Sequence, residues 1–142
     1  MTPAALAKLQ DLSQAMQEAD AAQLLSIKAE ETRIRAQLAA LDDHHKRTQS
    51  LTLMDAMPHR SLGGDIKWQV WVGRRRRELQ IQLARCLARQ GAARRALKKS
   101  FGKRAALSQI QTELLAHRAR ATGIKRDETV TGLGLLQRRQ RQ

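Results

Sequence analysis

Aromatic residues are almost absent from this sequence, whose 142 residues include one Phe, two Trp and no Tyr. Aromatic side chains supply much of the buried area of thick globular cores, so this chain has little with which to fill one. Proline is also scarce, with two residues, and the abundant Ala, Leu, Gln and Arg are strong helix formers. We therefore expect long helices and no strands.

Cysteine and long apolar runs are scarce as well. The single cysteine, Cys86, cannot form an intramolecular disulfide, which is typical of a reducing compartment. Short apolar runs such as Val70-Trp71-Val72 fall far below the roughly 20 residues that a membrane span needs. The first residues lack the basic start and apolar stretch of a signal peptide. These features predict a cytoplasmic protein without a membrane span.

Positive charge is abundant but unevenly distributed. Residues 1–64 contain 7 Lys or Arg against 8 Asp or Glu, whereas residues 65–142 contain 20 against 5. A half with a net charge of −1 is therefore followed by a half with +15, although both halves have a similar helix-forming composition. Such a charge points to acidic partners, namely nucleic acid, anionic lipid or an acidic protein surface.

The first helix is predicted over about residues 4–49. Thr2 is a suitable N-cap and Pro3 suits the first helical position. Apolar and polar residues then alternate by three and four, the spacing of a coiled-coil seam: Leu24, Ile27, Glu31, Ile34, Leu38, Leu41 and His45. Upstream, the stripe Leu9, Leu12, Met16 and Ala19 follows the same rule shifted by one residue, which predicts a local slip in the seam.

A connection is predicted over about residues 50–65, where Pro58 and the Gly63-Gly64 pair interrupt the pattern. The second helix is predicted over about residues 66–122, with Asp65 as N-cap and Gly123 as stop. Its seam follows the same spacing: Leu79, Leu83, Cys86, Gln90, Ala93, Leu97, Ser100, Arg104, Leu107, Gln111 and Leu114. Residues 123–142 show no clear period and are predicted to be a flexible basic tail.

These elements predict an all-α fold, a long antiparallel two-helix coiled-coil hairpin over residues 1–122. A parallel dimer through the second helix would set +15 beside +15 along a narrow seam. Pairing the second helix with the first reduces that repulsion. Polar seam residues such as Glu31 and Gln90 weaken the core but limit the registers that it can adopt.

No constellation of residues predicts catalysis, a bound cofactor or a metal site. The adjacent His44 and His45 lie about 100° apart on a helix, with no further ligand suitably spaced. Cys86 falls on the seam and is interpreted as a small buried hydrophobe. The basic residues from Arg74 to Lys103 point nearly all round the helix, so a solvated surface, nucleic-acid binding and an acidic protein surface all remain open.

Trp68 and Trp71 lie three residues apart and therefore on one face at the start of the second helix. One interpretation is an apolar plug that closes the hairpin against Leu51, Leu53 or Met54. The other is a contact with a partner, because tryptophan is enriched at the energetic centres of interfaces. The two interpretations are compatible.

Two short segments carry a resemblance to a known family. The run Gln37-Leu38-Ala39-Ala40-Leu41-Asp42-Asp43 is similar to a QLxxLxD run, and Trp68-Gln69-Val70-Trp71 is similar to a W-x-x-Y/W start of the second helix. Both are features of the flagellar export protein FliJ and its type III secretion relatives of the YscO kind. With its length and two long helices, the chain resembles this family of antiparallel coiled coils.

The resemblance implies a non-enzymatic stalk, without cofactor or metal, in a flagellar or other type III protein export apparatus. The termini would enter a hexameric export ATPase, and the region near the connection would meet the export gate and export chaperones. This implies a cytoplasmic protein, peripheral at the inner-membrane export apparatus. By motif match, the gate contacts would be Gln37, Leu41, His44, Trp68 and Trp71.

The basic residues near the termini are the candidates for contact with the ATPase ring: Arg118, Arg120, Lys125 and Arg126. A basic coiled coil suits a ring lined with acidic loops. The alternative function from the residues alone is a basic nucleic-acid-binding accessory coiled-coil protein, and a third possibility is a plain oligomerising coiled coil.

Overall fold

The computed structural model describes residues 2–54 and 62–141, which form two helices and, within those ranges, no strand. Helix α1 spans Pro3–Met54 and helix α2 spans Leu62–Gln140. The two helices pack against each other in antiparallel orientation, since residues late in α1 contact residues early in α2. The predicted all-α helical hairpin is confirmed.

The start of α1 follows the sequence prediction closely. The Thr2 side-chain oxygen accepts a hydrogen bond from the Ala5 amide at 3.3 Å, and the Thr2 carbonyl accepts one from the Leu6 amide at 3.1 Å. Thr2 is therefore the N-cap, because its side chain satisfies the Ala5 amide, which has no partner inside the helix, and its carbonyl accepts the first helical hydrogen bond. Pro3 occupies the first helical position, where its missing amide hydrogen costs nothing.

Contacts divide the chain into two compact units, of which the larger covers residues 18–99. Its seam contains an apolar core in which Ile34, Leu79 and Cys86 are fully buried. The remaining buried members are Leu24, Ile27, Leu41, Val72 and Ala93, with Leu38, Trp68, Leu83 and Leu97 packed against them. The seam predicted for this part of both helices is therefore confirmed, including Cys86, whose thiol donates to the Ile27 carbonyl at 3.4 Å.

A polar layer interrupts this core at Glu31 and Gln90. The Gln90 amide donates to the Glu31 carboxylate at 2.6 Å, and the Arg94 guanidinium donates to the Gln90 carbonyl oxygen at 2.9 Å. Arg35 forms an ion pair with Glu31 at 2.8 Å. Because a shift of register would leave these groups without partners, the layer favours one alignment of the helices.

The second unit covers residues 1–17 and 100–142. Its seam is mostly polar, with Gln10 donating to Gln111 at 2.6 Å and Arg104 donating to Gln17 at 2.9 Å. Leu6 and Ser13 are the buried residues of α1 in this unit. They continue the spacing of three and four without the slip that the sequence predicted.

The predicted seam stripe of Leu9, Leu12, Met16 and Ala19 is therefore wrong for the part of the chain before residue 20. Leu9, Leu12 and Met16 are 39%, 58% and 44% exposed, because each lies one position to the side of the seam. Gln10, Ser13 and Gln17 occupy the seam positions instead, and the two glutamines form hydrogen bonds with Gln111 and Arg104 of α2. The heptad register, not the local hydrophobicity, decides which residues face the partner helix.

The two predicted boundaries on either side of the connection are also wrong. Helix α1 continues past residue 49 to Met54, and Asp65 lies inside α2, which begins at Leu62, so it is not an N-cap. The rest of the predicted connection, residues 55–61 with Pro58 and Ser61, lies outside the described residues. The glycine pair falls in the first turn of α2, where amides have no intrahelical acceptor and an interruption of the pattern is tolerated.

The helix also passes through Gly123, so the predicted tail is helical as far as Gln140. Among the described residues no glycine has a positive φ, so Gly123 does not adopt the left-handed conformation of a helix stop. A glycine inside a helix costs about 1 kcal/mol relative to alanine. The next five residues, Ile124 to Glu128, contain no further breaker, and the helix continues.

Candidate functional site

His44, Trp68 and Trp71 form an aromatic cluster in the unit of residues 18–99. The rings of His44 and Trp68 meet edge to face with centroids 5.1 Å apart, and Trp68 stacks on Trp71 at 5.0 Å. Trp68 is half-buried and packs against the core, whereas Trp71 is 49% exposed. The cluster therefore presents one indole to solvent on a second indole that the helix pair holds in place.

Packing, not hydrogen bonding, holds the inner indole. The Trp68 Nε1 atom is buried and has no hydrogen-bond partner among the described residues. Leu51, one of the three predicted plug partners, is 64% exposed. The side chains of the other two, Leu53 and Met54, lie outside the described residues. The aromatic contact of Trp68 across the helix pair is with His44.

The other gate-contact candidates lie one and two turns before His44 on α1. Gln37 is exposed and can reach a partner. Leu41 is 8% exposed and belongs to the core of the helix pair, so its side chain has no free surface to offer. The structure thus brings together His44, Trp68 and Trp71, leaves Gln37 apart on the surface, and gives Leu41 a packing role.

The four arginines at residues 74–77 have different environments. Arg76 forms an ion pair with Asp42 across the helix pair, and Arg75 pairs with Glu78 at 3.3 Å. Arg74 and Arg77 are exposed and make no ion pair with any residue that the structure describes. Two of the four charges are therefore available to an anionic partner.

A second interhelical ion pair lies further along the same unit. Arg89 donates a hydrogen bond to the Glu30 carboxylate at 2.7 Å, and this bond raises the pKa of the Arg89 guanidinium. Both ion pairs join an acidic residue of α1 to a basic residue of α2. They give the charge asymmetry of the sequence a structural role, because the acidic side chains of α1 neutralise part of α2.

The ring-contact candidates lie in the unit of residues 1–17 and 100–142. Arg118 lines a shallow cleft with Pro3, Leu6 and Leu114, so it lies beside the start of α1. Every described residue from Ala119 to Arg141 is exposed. Arg120, Lys125 and Arg126 fall in this segment, and none of the four candidates makes an ion pair within the described ranges.

The structure exposes two groups of apolar residues that the sequence analysis did not assign to the surface. In the smaller unit, Leu9, Leu12 and Met16 line a cleft of about 220 Å³ with Lys103 and Leu107. In the larger unit, Ile66, Val70 and Ile81 are 60%, 58% and 48% exposed. The spacing of Ile66, Val70 and Ile81 at helical intervals outside the seam was the available signal for the second group. The similar spacing of Leu9, Leu12 and Met16 was interpreted as a seam.

The cysteine and histidine residues, which act in catalysis or metal binding in other proteins, do not form a cluster of that kind in the described part of the chain. Cys86 is buried, His117 is exposed, and His59 lies outside the described residues. Residues 2–54 and 62–141 contain no group of three metal-ligating side chains. In the same ranges, no helix has the length and apolar content needed to cross a bilayer.

Comparison with known proteins gives no relative: no family model matches the chain, and no curated protein or solved structure matches it significantly.

Proposed function

We propose that this protein is a non-enzymatic coiled-coil stalk of a flagellar or other type III protein export apparatus, which binds and stimulates the export ATPase ring. The helix pair and the two sequence runs shared with the FliJ and YscO families support this proposal. The export gate and export chaperones are further proposed partners, with His44, Trp71 and Gln37 as the accessible gate contacts.

One observation carries the proposal, namely the single exposed helix that continues α2 beyond the start of α1. Pro3 and Arg118 line the same cleft, whereas α2 extends to Gln140. At about 1.5 Å per residue, the segment after Arg118 adds on the order of 30 Å of unpaired helix. This exposed single helix is the part of the molecule that we propose enters the opening of the ring.

The charge of this segment agrees with an acidic ring interior. Between residues 118 and 141 it contains seven arginines and lysines, against two acidic residues, Asp127 and Glu128. An exposed segment of this sign is attracted to acidic loops and is not held by acidic residues of its own chain. Arg118 and Arg120 lie nearest to the paired helices, where a bound ring would meet the base of the unpaired segment.

The experiment compares ATP hydrolysis by the cognate export ATPase with and without this protein. Wild-type protein is expected to stimulate hydrolysis, and R118E/R120E to lose stimulation with at least about tenfold weaker binding, because each reversal replaces attraction by repulsion. The matched control is K98E/K99E, which changes the net charge equally at two other exposed positions of α2. An ATPase that does not respond to the wild-type protein at any ratio would contradict the proposal.

Nucleic-acid binding is the second candidate function, and the unpaired, exposed Arg74 and Arg77 are the observation that favours it. Binding through phosphates predicts an affinity that falls linearly on a logarithmic scale as salt rises. We expect weak, sequence-independent shifts of duplex DNA at low salt if this function is real. No shift of duplex or single-stranded DNA at low salt would eliminate it.

A further inference from the structure

The outward face of α2 in the unit of residues 18–99 combines apolar and basic side chains. Its apolar members are Ile66, Val70, Trp71 and Ile81, each between 48% and 60% exposed. Its basic members are Lys67, Arg74 and Arg77, which are also exposed. We call these seven residues the Ile66–Ile81 face.

Helical geometry places these residues together and away from α1. With about 100° per residue, Ile66, Val70, Arg77 and Ile81 fall within an arc of about 60°, and the remaining members extend it to about 140°. The buried residues Val72, Leu79 and Cys86 lie on the opposite side of the helix. The Ile66–Ile81 face is therefore a true second face of α2 and not an extension of the seam.

The Ile66–Ile81 face combines apolar and basic side chains in the way that is typical of a helix lying at a membrane surface. Such helices place large apolar side chains at the boundary of headgroups and acyl chains while basic residues contact anionic headgroups. Tryptophan is enriched at that depth. Trp71 fits this position because it is half-exposed and stacked on the inner Trp68, which limits the freedom it would lose on binding.

Electrostatics on this face favour an anionic surface. The acidic residue that falls within the arc, Glu78, is paired with Arg75, so Lys67, Arg74 and Arg77 remain uncompensated. A nucleic acid would satisfy the basic residues but would gain little from three exposed aliphatic side chains interleaved with them. A lipid surface uses both kinds of residue.

We propose that the Ile66–Ile81 face binds the surface of membranes that contain anionic phospholipids. The helix lies along the headgroup region without crossing the bilayer. The proposal does not depend on the proposed stalk function, since it concerns a different unit and a different set of residues from the ring contacts.

The first test is flotation of the full chain with vesicles of phosphatidylcholine and phosphatidylglycerol, beside vesicles of phosphatidylcholine alone. We expect binding to the anionic vesicles, with a blue shift of the tryptophan emission and quenching by brominated lipid. Binding to the neutral vesicles is expected to be at least about tenfold weaker, because each basic residue near an anionic surface contributes about 1 kcal/mol. Absence of binding to the anionic vesicles would overturn the proposal.

The second test identifies the face with two pairs of variants. V70Q/I81Q removes apolar side chains and R74Q/R77Q removes charge, and each is expected to weaken vesicle binding about tenfold or more. Their matched controls are L133Q/L136Q and K98Q/K99Q, which remove two aliphatic side chains and two positive charges, respectively, at exposed positions elsewhere on α2. Circular dichroism and protection of the Cys86 thiol verify that every variant is folded.

Two results of these variants would contradict the proposal. If the control pairs weaken vesicle binding as strongly as the test pairs, the Ile66–Ile81 face is not the lipid contact. If V70Q/I81Q binds vesicles like the wild type while R74Q/R77Q weakens binding to DNA and vesicles equally, the face is a general phosphate-binding surface. Selective loss in both test pairs would support a membrane contact.

Discussion

Glu31 shows at the scale of one residue how a polar group can occupy a coiled-coil seam. Its carboxylate accepts hydrogen bonds from Arg35 and Gln90, and these two bonds, Arg35 first, lower its pKa below the ordinary carboxyl value. Glu31 is thus a stabilising partner in its ionised form and an unsuitable one when protonated. Glu31 contributes less apolar burial than a leucine would at this seam position, but it favours one specific alignment of the helices.

Replacement of Glu31 by glutamine is expected to destabilise the protein most at neutral pH. Because folding lowers the pKa of Glu31, its ionised form stabilises the fold above the ordinary carboxyl pKa of about 4, and this contribution is lost as the pH falls through the lowered pKa. The difference in free energy of unfolding between wild type and E31Q should therefore shrink on acidification. Chemical denaturation at a series of pH values measures it.

The control is the same replacement in an R35Q background, which removes the main cause of the pKa shift. In that background the effect of Glu31→Gln on the free energy of unfolding should depend less on pH. The difference between the effects of Glu31→Gln in the two backgrounds measures the coupling between Glu31 and Arg35. An equal pH dependence in both backgrounds would assign the effect to another group.

At the scale of the element, Gly123 decides whether α2 is one helix. A helical glycine with free space around it accepts a methyl group, and a Cβ at Gly123 would meet no atom within 4 Å. We expect Gly123→Ala to stabilise the exposed segment by about 1 kcal/mol and to raise the helical signal in circular dichroism. Hydrogen exchange of amides 119–140 should slow accordingly.

A lower helical signal in Gly123→Ala would contradict this prediction. If Gly123 terminated the helix in a left-handed conformation, alanine would be strained there and would lower the helical signal. Gly91→Ala is the matched control inside the paired region, where a Cβ would meet only the flexible end of Arg95 at 3.7 Å. A gain in Gly91→Ala alone would contradict a continuous helix at Gly123.

The elements themselves were largely predictable from the sequence, and the errors have a common physical origin. The seam from Leu24 to His45 was found because its apolar residues coincide with the heptad positions. The stripe of Leu9, Leu12 and Met16 was misplaced because hydrophobicity and register disagree there, and the continuous register of the long helices prevails. Local sequence cannot reveal that disagreement, since it depends on residues several turns away.

The candidate site was predictable in part for a related reason. Spacing alone indicated that Trp68 and Trp71 share a face, and the structure adds the contact with His44, which is distant in sequence. The sequence analysis missed the exposed group of Ile66, Val70 and Ile81. These residues are few and lie among many basic residues, so their helical spacing is a weak signal. Leu41 was assigned to a surface by motif match, although its seam position already indicated burial.

For the whole molecule, net charge is the dominant electrostatic fact. The chain carries a formal charge of +14, and the ion pairs that join the two helices include Arg76 with Asp42 and Arg89 with Glu30. Exposed ion pairs contribute about 0–1 kcal/mol each, whereas repulsion accumulates over many cations. Folding therefore proceeds against a repulsion that an acidic partner would relieve.

Moderate salt is accordingly expected to raise the thermal stability of the isolated protein. The Debye length falls from about 30 Å at 0.01 M to about 8 Å at 0.15 M, so added sodium chloride screens repulsion between distant cations more than attraction within close pairs. Thermal unfolding followed by circular dichroism should show a Tm that increases over this range. The variant K98E/K99E lowers the net charge and should start from a higher Tm at low salt, with a flatter salt dependence. A wild-type Tm that falls with salt would mean that the ion pairs of the helix pair outweigh the repulsion, and that α2 does not need a partner to offset its charge.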